Sequence, residues 1–557
     1  MKKNFIGIHI IFFLALFIQA SVAQNIQFGK EFEFTKRYSL FKMSKEFTSL
    51  YLKTIGVKNN RFFLLHAPER RIGKALFTRY SLDSLSLELT KEIPIENPYS
   101  LCNIFMMKDK IYMFLFSYDF TRKRDVLYAQ RISDDGNFIG EALKLDNGDT
   151  SSWANASNVQ ITNEQRNGGK YTFSLTKNSS GFLAVSNRPF SKYDNEKFIY
   201  SVYDGDLKLT SNTEVQFPFK DKLFCVYDYN FSSDGTIFGI VRIDDDQFKP
   251  ESKRIHFIEP AWNKEKSENE HFQYELISIN SGNGKEVRET ELKLEGKNIT
   301  YLSSTIDKNG NIVCCGMYSN ADNKYIELNG AFNIIISAAT GKIISSSLRN
   351  FEEGFIKDVM EERKLNDGEG LSYKFEIKYI IARNDGGHYL ISEFRDYHRA
   401  YGGGIDSHGF TGSTAGFEDY YSGKIIVVNI AANGDILWIS GIPKDQQTEN
   451  DYGLYNSFVV GKTEDDKLNF LFNDNPENQK VVDLRNVKTM SKPKSSVCTY
   501  FQMDDSGKFI RGSFKNEGKP KYVLIPSVNC TLPDNSMVGY YNLLGEEKYV
   551  LGKIKLH

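Results

Sequence analysis

A chain of 557 residues can hold several ordinary domains, or one long domain assembled from stacked repeats. Its 70 basic and 71 acidic residues leave a net charge of -1, so no global field draws it to nucleic acid or anionic lipid. With 42 Phe and 31 Tyr it is rich in strand formers, and its 6 Cys are too few for a disulfide framework of the small secreted kind.

The chain opens with Lys2 and Lys3, an apolar run from Phe5 to Ile18, and small residues at Ser21 and Ala23. A basic start, an apolar centre and a small-residue exit predict a signal peptide over 1–23, cleaved after Ala23. The run is shorter than the roughly 20 residues a bilayer requires. No Cys follows it to carry a lipid, and no later segment is long and apolar enough to span a membrane. The expectation is an exported protein, periplasmic or extracellular, whose residues 24–557 form one domain.

After the leader, Ile26–Phe34 (IQFGKEFEF) alternates like an outer strand. Seven units follow, each an apolar strand, a second apolar strand, a Tyr- or Val-rich strand and an amphipathic strand. They span 47–95, 99–145, 170–219, 224–294, 299–351, 375–444 and 457–514. Tight-turn dipeptides mark them at Asp135-Gly136, Asp234-Gly235, Asn309-Gly310, Asp385-Gly386, Asn433-Gly434 and Ser506-Gly507. The fourth unit carries a charged insertion from Asp244 to Glu270, read as a solvated loop. Between the fifth and sixth, Phe355, Ile356, Val359 and Met360 recur at helical spacing, which predicts a short helix within 351–364.

The remainder, 521–556, supplies about three strands and wants a fourth. Pairing it with 26–34 closes a ring and removes open sheet edges. The fold class is therefore all-β, a single β-propeller of about eight four-stranded blades whose last blade is closed by the N-terminal strand. Seven blades is the runner-up and a pair of stacked sandwiches the third choice.

Cys314 and Cys315 are adjacent in an apolar strand, so their side chains face opposite sides. Buried free thiols are the first expectation for the cysteines, and one or two isolated disulfides the alternative.

Motifs with catalytic echoes fail on spacing. NSFVVGKT has Asn456 where a phosphate loop needs Gly. GSTAG has Thr414 where a nucleophile elbow needs Ser. Asp505-Ser506-Gly507 occurs once, whereas aspartic-protease chemistry needs two such loops. In SSDGTIF, Asp234 abuts Gly235, the wrong spacing for the Asp-box of sialidase-like propellers. Asp244-Asp245-Asp246 reads as a solvated acidic run. No catalytic, cofactor or metal site is assigned.

One segment of the sixth unit stands apart. After HYLISEF comes RDYHRAYGGGIDSHGFTGSTAGFEDYYSGK, Arg395 to Lys424, read as a long Gly-rich loop on one propeller face. Its candidate binding residues are His398, Tyr401, Asp406, His408, Glu418, Asp419, Tyr420 and Tyr421. Aromatic rings beside carboxylates suit contact with a sugar or a peptide.

IIARNDGGHYLISE (380–393), SGKIIVVNIAANGDILWISGIPKDQ (422–446) and FLFNDNPEN (470–478) together resemble uncharacterised exported bacterial proteins with propeller-like repeats. The likeness lies mainly over 370–478 and implies a propeller, with no activity to carry over. Trp438 and the Ile442–Lys444 turn also read as blade-packing and blade-joining elements.

The leading functional reading is a non-catalytic exported binding or scaffold module, acting as a monomer on an unknown protein or glycan ligand. One alternative is a glycan- or peptide-acting hydrolase with carboxylates at the channel mouth. The other is a structural component of the cell envelope.

Overall fold

The computed structural model describes residues 26–34 and 50–556, apart from 69–72, 97, 120–123, 148–170, 177–178, 188–194, 221–222, 233–234, 245–271, 281–286, 322–326, 360–369, 373, 406–410, 482, 515–521 and 544–547. The expected leader and nearly all of the charged insertion of the fourth unit lie outside the described residues.

Eight sheets of four or more antiparallel strands follow one another along the chain. Blade 1 covers Leu50–Ile95, blade 2 Tyr99–Asn147, blade 3 Tyr171–Lys220 and blade 4 Phe224–Leu292. Blade 5 covers Lys297–Asn350, blade 6 Phe375–Ile442, blade 7 Val459–Ser513 and blade 8 Tyr522–Lys555. First strands of neighbouring blades touch, as Leu50–Lys58 does with both Tyr99–Met107 and Tyr522–Thr531. The sheets therefore form a ring, the β-propeller of eight blades; seven is too few.

Strand alternation explains the packing. In Arg61–Pro68, Phe62 and Leu64 enter one apolar cluster, shared with blade 8. Phe63 and Leu65 enter the next, shared with blade 2. Inner strands are thus buried on both sides and read as continuous apolar runs. The outer strand Leu209–Lys220 is buried only at Thr213, Val215 and Phe217, so it alternates. Cys314 faces blade 4 and Cys315 faces blade 6, as adjacency in a strand requires. Cys102, Cys314, Cys315, Cys498 and Cys530 are free thiols.

The turns interlock the blades. Gly136, Gly235, Gly310, Gly386, Gly434 and Gly507 all take positive φ, the conformation that closes these hairpins. At Gly507 the turn of blade 7 lies against Trp438 of blade 6, and a Cβ there would come within 3.0 Å of the indole. Trp438 Nε1 donates to the Asp505 carbonyl at 2.6 Å. One blade earlier, Ser347 Oγ donates to the Gly434 carbonyl at 2.6 Å. Both of these turn tips are held by side chains of the preceding blade.

A device not visible in the sequence recurs in the first strands. Those of blades 1, 2, 4, 5 and 6 carry one extra residue each: Ile55, Cys102, Tyr227, Thr300 and Lys378. Such bulges bend a strand locally and raise its twist.

The N-terminal segment closes the ring, although not as one strand. Gln27–Phe28 and Phe32–Glu33 both pair with Lys548–Lys555. The pairing breaks at Gly29, where an added Cβ would lie 1.9 Å from the Leu85 carbonyl oxygen of blade 1. Phe32 and Phe34 then fill the cluster between blades 8 and 1.

The expected helix is present over Glu353–Val359. Ile356 and Val359 are buried in the cluster between blades 5 and 6.

Candidate functional site

Two strands of blade 6 outgrow every other described strand. His388–Ile405 and Thr411–Ile430 run for 18 and 20 residues. They pair within the blade up to Glu393↔Ile425, then continue from Arg395↔Ser422 to Ile405↔Thr411. The Gly-rich segment expected as a loop is therefore an antiparallel ribbon. Its glycines sit opposite short residues, Gly402 facing Thr414 and Gly403 facing Ser413, a pairing that a loop reading overlooks. A third strand, Gln446–Glu449, pairs with Asp419–Ser422 and stiffens the root.

The root is held by buried charge. Glu393 and Lys444 are fully buried and paired at 2.9 Å. Lys444 Nζ also donates to the Ser422 carbonyl at 2.8 Å and to Gln446 Oε1 at 2.9 Å. Ser457 Oγ donates to the other Glu393 oxygen at 2.7 Å. Gln446 Nε2 donates to the Asn473 carbonyl at 2.7 Å, which carries the network into blade 7. Burial pushes the Glu393 carboxyl up, but the Lys444, Lys378 and Arg395 cations outweigh it and hold the group below its ordinary value. Burial draws the Lys444 ammonium down, against the attraction of Glu393. A second buried pair joins Lys374 to Asp396 at 2.6 Å.

Beyond the root, register sorts the side chains onto two faces, because directly paired residues share a face. Tyr397, Tyr420 and Thr448 form one row. The rings of Tyr397 and Tyr420 lie 5.0 Å apart, and that of Tyr452 lies 6.3 Å from Tyr420. Tyr420 donates its hydroxyl proton to Glu418 Oε2 at 2.7 Å. Burial and that carboxylate push the Tyr420 phenol well above its ordinary value, so it stays neutral. The opposite face carries His398, Asp419 and Glu449 in one row and Asp396, Tyr421 and Gln447 in the next. His398 Nε2 stands 3.1 Å from Asp396, and its ring meets the Tyr421 ring edge-on at 5.6 Å. Gln447 Nε2 donates to the Tyr421 hydroxyl at 2.8 Å.

Of the residues expected from sequence, His398, Glu418, Asp419, Tyr420 and Tyr421 are thus brought together, split between two faces. Tyr401 lies in the ribbon backbone, but its side chain is outside the described residues, as are Asp406 and His408. Sequence reasoning missed Tyr397, Tyr452 and Glu449. Tyr397 lay one residue before the candidate set, and the chain returns 446–452 to the ribbon only after a full strand of blade 6.

Polar groups elsewhere serve mainly as joints. Asp228 Oδ2 accepts from Ser304 N at 3.0 Å, Ser304 Oγ at 3.1 Å and Ser303 Oγ at 3.3 Å. These bonds tie the first strands of blades 4 and 5, and burial pushes the carboxyl up to about 6. Asp244, expected in a solvated run, is buried and paired with Arg242 at 2.7 Å. Its ladder position at the end of Thr236–Asp244 turns it inward, and Arg242 lies over the Phe272 ring. Asp245 and Asp246 lie outside the described residues. Val459–Lys462 of NSFVVGKT is a first strand, with Gly461 against Met537 and Leu556 of blade 8. Among the described residues no group of three His, Cys, Asp or Glu is arranged to hold a metal ion, and no helix is long and apolar enough to cross a membrane.

No family model matches this chain. No curated protein matches it either. Similar solved structures include a protein of unknown function from Bacteroides caccae, at 13% identity and TM-score 0.26, covering 68% of this chain and 93% of that one. Prolyl oligopeptidase B from Galerina marginata matches at 9% identity and TM-score 0.37, over 90% of this chain and 56% of its own, so this chain spans little more than half its length. A periplasmic gluconolactonase from Pseudomonas aeruginosa matches at 11% identity and TM-score 0.32, over 70% of this chain and 84% of its own. At such values these likenesses carry no argument about activity.

Proposed function

We propose that this protein is an exported binding or scaffold module that recognises a partner through the blade 6 ribbon. The observation that carries the reading is the contrast between ribbon and ring. Among the described residues the ring packs most of its aromatic residues between blades, with Phe138 of the blade 2 outer strand exposed alone. The ribbon keeps Tyr397 at 41% and Tyr452 at 44% exposure beside the half-buried Tyr420, on a root fixed by fully buried charge. Exposed aromatic residues on a rigid support are the usual anchors of recognition surfaces. The basic start and apolar run of residues 1–23 support export.

The test removes His398–Tyr421 and asks what the cell-expressed, crosslinked protein captures. The expected result is an unchanged far-ultraviolet circular dichroism spectrum with loss of a reproducible partner. A deletion protein that folds and keeps every partner would overturn the reading.

A further inference from the structure

We infer that the junction between blades 8 and 1 binds ordered water, hydrogen-bonded to the hydroxyls of Tyr80 and Tyr540 and to the imidazole of His66. This site stands apart from the ribbon, at the seam where the N-terminal segment closes the ring.

The first argument is a concentration of polar atoms where the packing is otherwise apolar. His66, Tyr80 and Tyr540 are fully buried. Tyr80 and Tyr540 belong to the cluster of Phe32, Phe34, Leu64 and Leu551. The His66 ring meets Phe34 at 4.9 Å and Tyr540 at 6.4 Å, and Tyr540 meets Tyr80 at 6.4 Å. Among the described residues, neither hydroxyl and neither imidazole nitrogen has a hydrogen-bond partner. Burying such groups unbonded is costly, and native interiors seldom do it. Phenylalanine would fill the same space without that cost, and this junction already uses it at Phe32, Phe34 and Phe62. Three polar side chains in one apolar cluster therefore point to a shared polar occupant.

The second argument concerns what that occupant is. Burial pushes the His66 imidazole down to about 3 and raises both phenols, so all three groups are uncharged at neutral pH. They offer no opposite charge to a buried ion. Each hydroxyl both donates and accepts, and a neutral imidazole donates at one nitrogen and accepts at the other. Water matches this set, since a buried water makes about three hydrogen bonds to groups otherwise unsatisfied. Each tyrosine hydroxyl also shifts the other's proton affinity, so the two lie close enough to share an occupant.

The experiment compares the full chain with Tyr80→Phe and Tyr540→Phe by denaturant unfolding. It is run at about pH 8, where His66 is neutral both folded and unfolded. Either substitution keeps the ring and removes one hydroxyl, so folding is retained. On a wet seam the hydroxyl is bonded, and its loss raises the unfolding constant about fivefold. The double substitution then raises it by less than the product of the two, because both hydroxyls serve shared water. On a dry seam the hydroxyl is an unbonded polar atom, and its loss leaves the unfolding constant unchanged or lowers it. That outcome would overturn the inference. A high-resolution crystal structure of the unaltered chain gives the direct check. Density within hydrogen-bonding reach of both hydroxyls and a His66 nitrogen is expected. A direct Tyr80–Tyr540 hydrogen bond, or no density between these groups, would overturn it as well.

Discussion

Two junctions of the ring bury polar groups in opposite ways. Between blades 8 and 1, where the N-terminal clasp closes the ring, the packing is aromatic: Phe34 meets His66 at 4.9 Å and Phe32 meets Tyr80 at 5.3 Å. His66 is fully buried there and neither ring nitrogen finds a hydrogen-bond partner. Between blades 6 and 7, Glu393, Lys444, Gln446 and Ser457 form a connected network at the foot of the ribbon. The clasp tolerates its histidine only as a neutral ring. The ribbon root keeps its charges because each has a partner. A connected polar network fixes one geometry, which suits the element that must present a surface.

The largest expected effect breaks the root. Lys444→Ala leaves Glu393 buried without its cation and should cost about 3–5 kcal/mol, read by denaturant unfolding. The double variant Glu393→Gln, Lys444→Met should recover much of that loss while loosening the ribbon, seen as faster amide exchange over 395–422.

Next comes the clasp. Burial holds the His66 imidazole down to about 3, against 6.5 in an unfolded chain. Above pH 6.5 neither state binds the proton, and the site costs nothing. As pH falls below 6.5 the unfolded chain takes it up first, so stability declines by about 1.4 kcal/mol per pH unit towards the folded value. Tyr540 meets the imidazole edge-on at 6.4 Å, and burial pushes its phenol well above its ordinary value, so it stays neutral throughout. Between pH 6.5 and 4 the native chain should lose about 3 kcal/mol more than His66→Phe does, with exchange appearing first at 26–34 and 548–555. Parallel acid titrations of the two proteins would contradict this account.

Smaller effects test the turns that couple neighbouring blades. Gly507→Ala places a Cβ at positive φ against Trp438 and should cost about 1–2 kcal/mol. Trp438→Phe, which removes the bond to Asp505 O, should cost about 1 kcal/mol. The two losses should add up to less than their sum, because they share one contact.

The contrast between the junctions also explains what could be read in advance. The propeller was legible because its grammar is local: alternating strands, Gly at the six marked positive-φ turns, and an unmatched strand at 26–34. The helix was legible from its spacing, within a few residues. The ribbon was not, since Gly402, Gly403 and Gly404 signal a loop and only their cross-strand partners make them a strand. The site was read in half. Tyr420 and Tyr421 were visible as aromatic residues beside carboxylates, but the faces they occupy depend on register. Tyr452 and Glu449 join them through a strand pairing distant in the chain. Lys444 looked like part of a blade-joining turn, because its partner Glu393 lies on another strand.

Site-specific photocrosslinking in cells tests the central claim most directly. A photoreactive residue is placed at Tyr397 on the ribbon, and in a second protein at Leu143, an exposed position on the outer strand of blade 2. Recognition through the ribbon predicts a discrete adduct from position 397 and none from 143. Equal adducts from both positions, or an adduct from 143 alone, would contradict it.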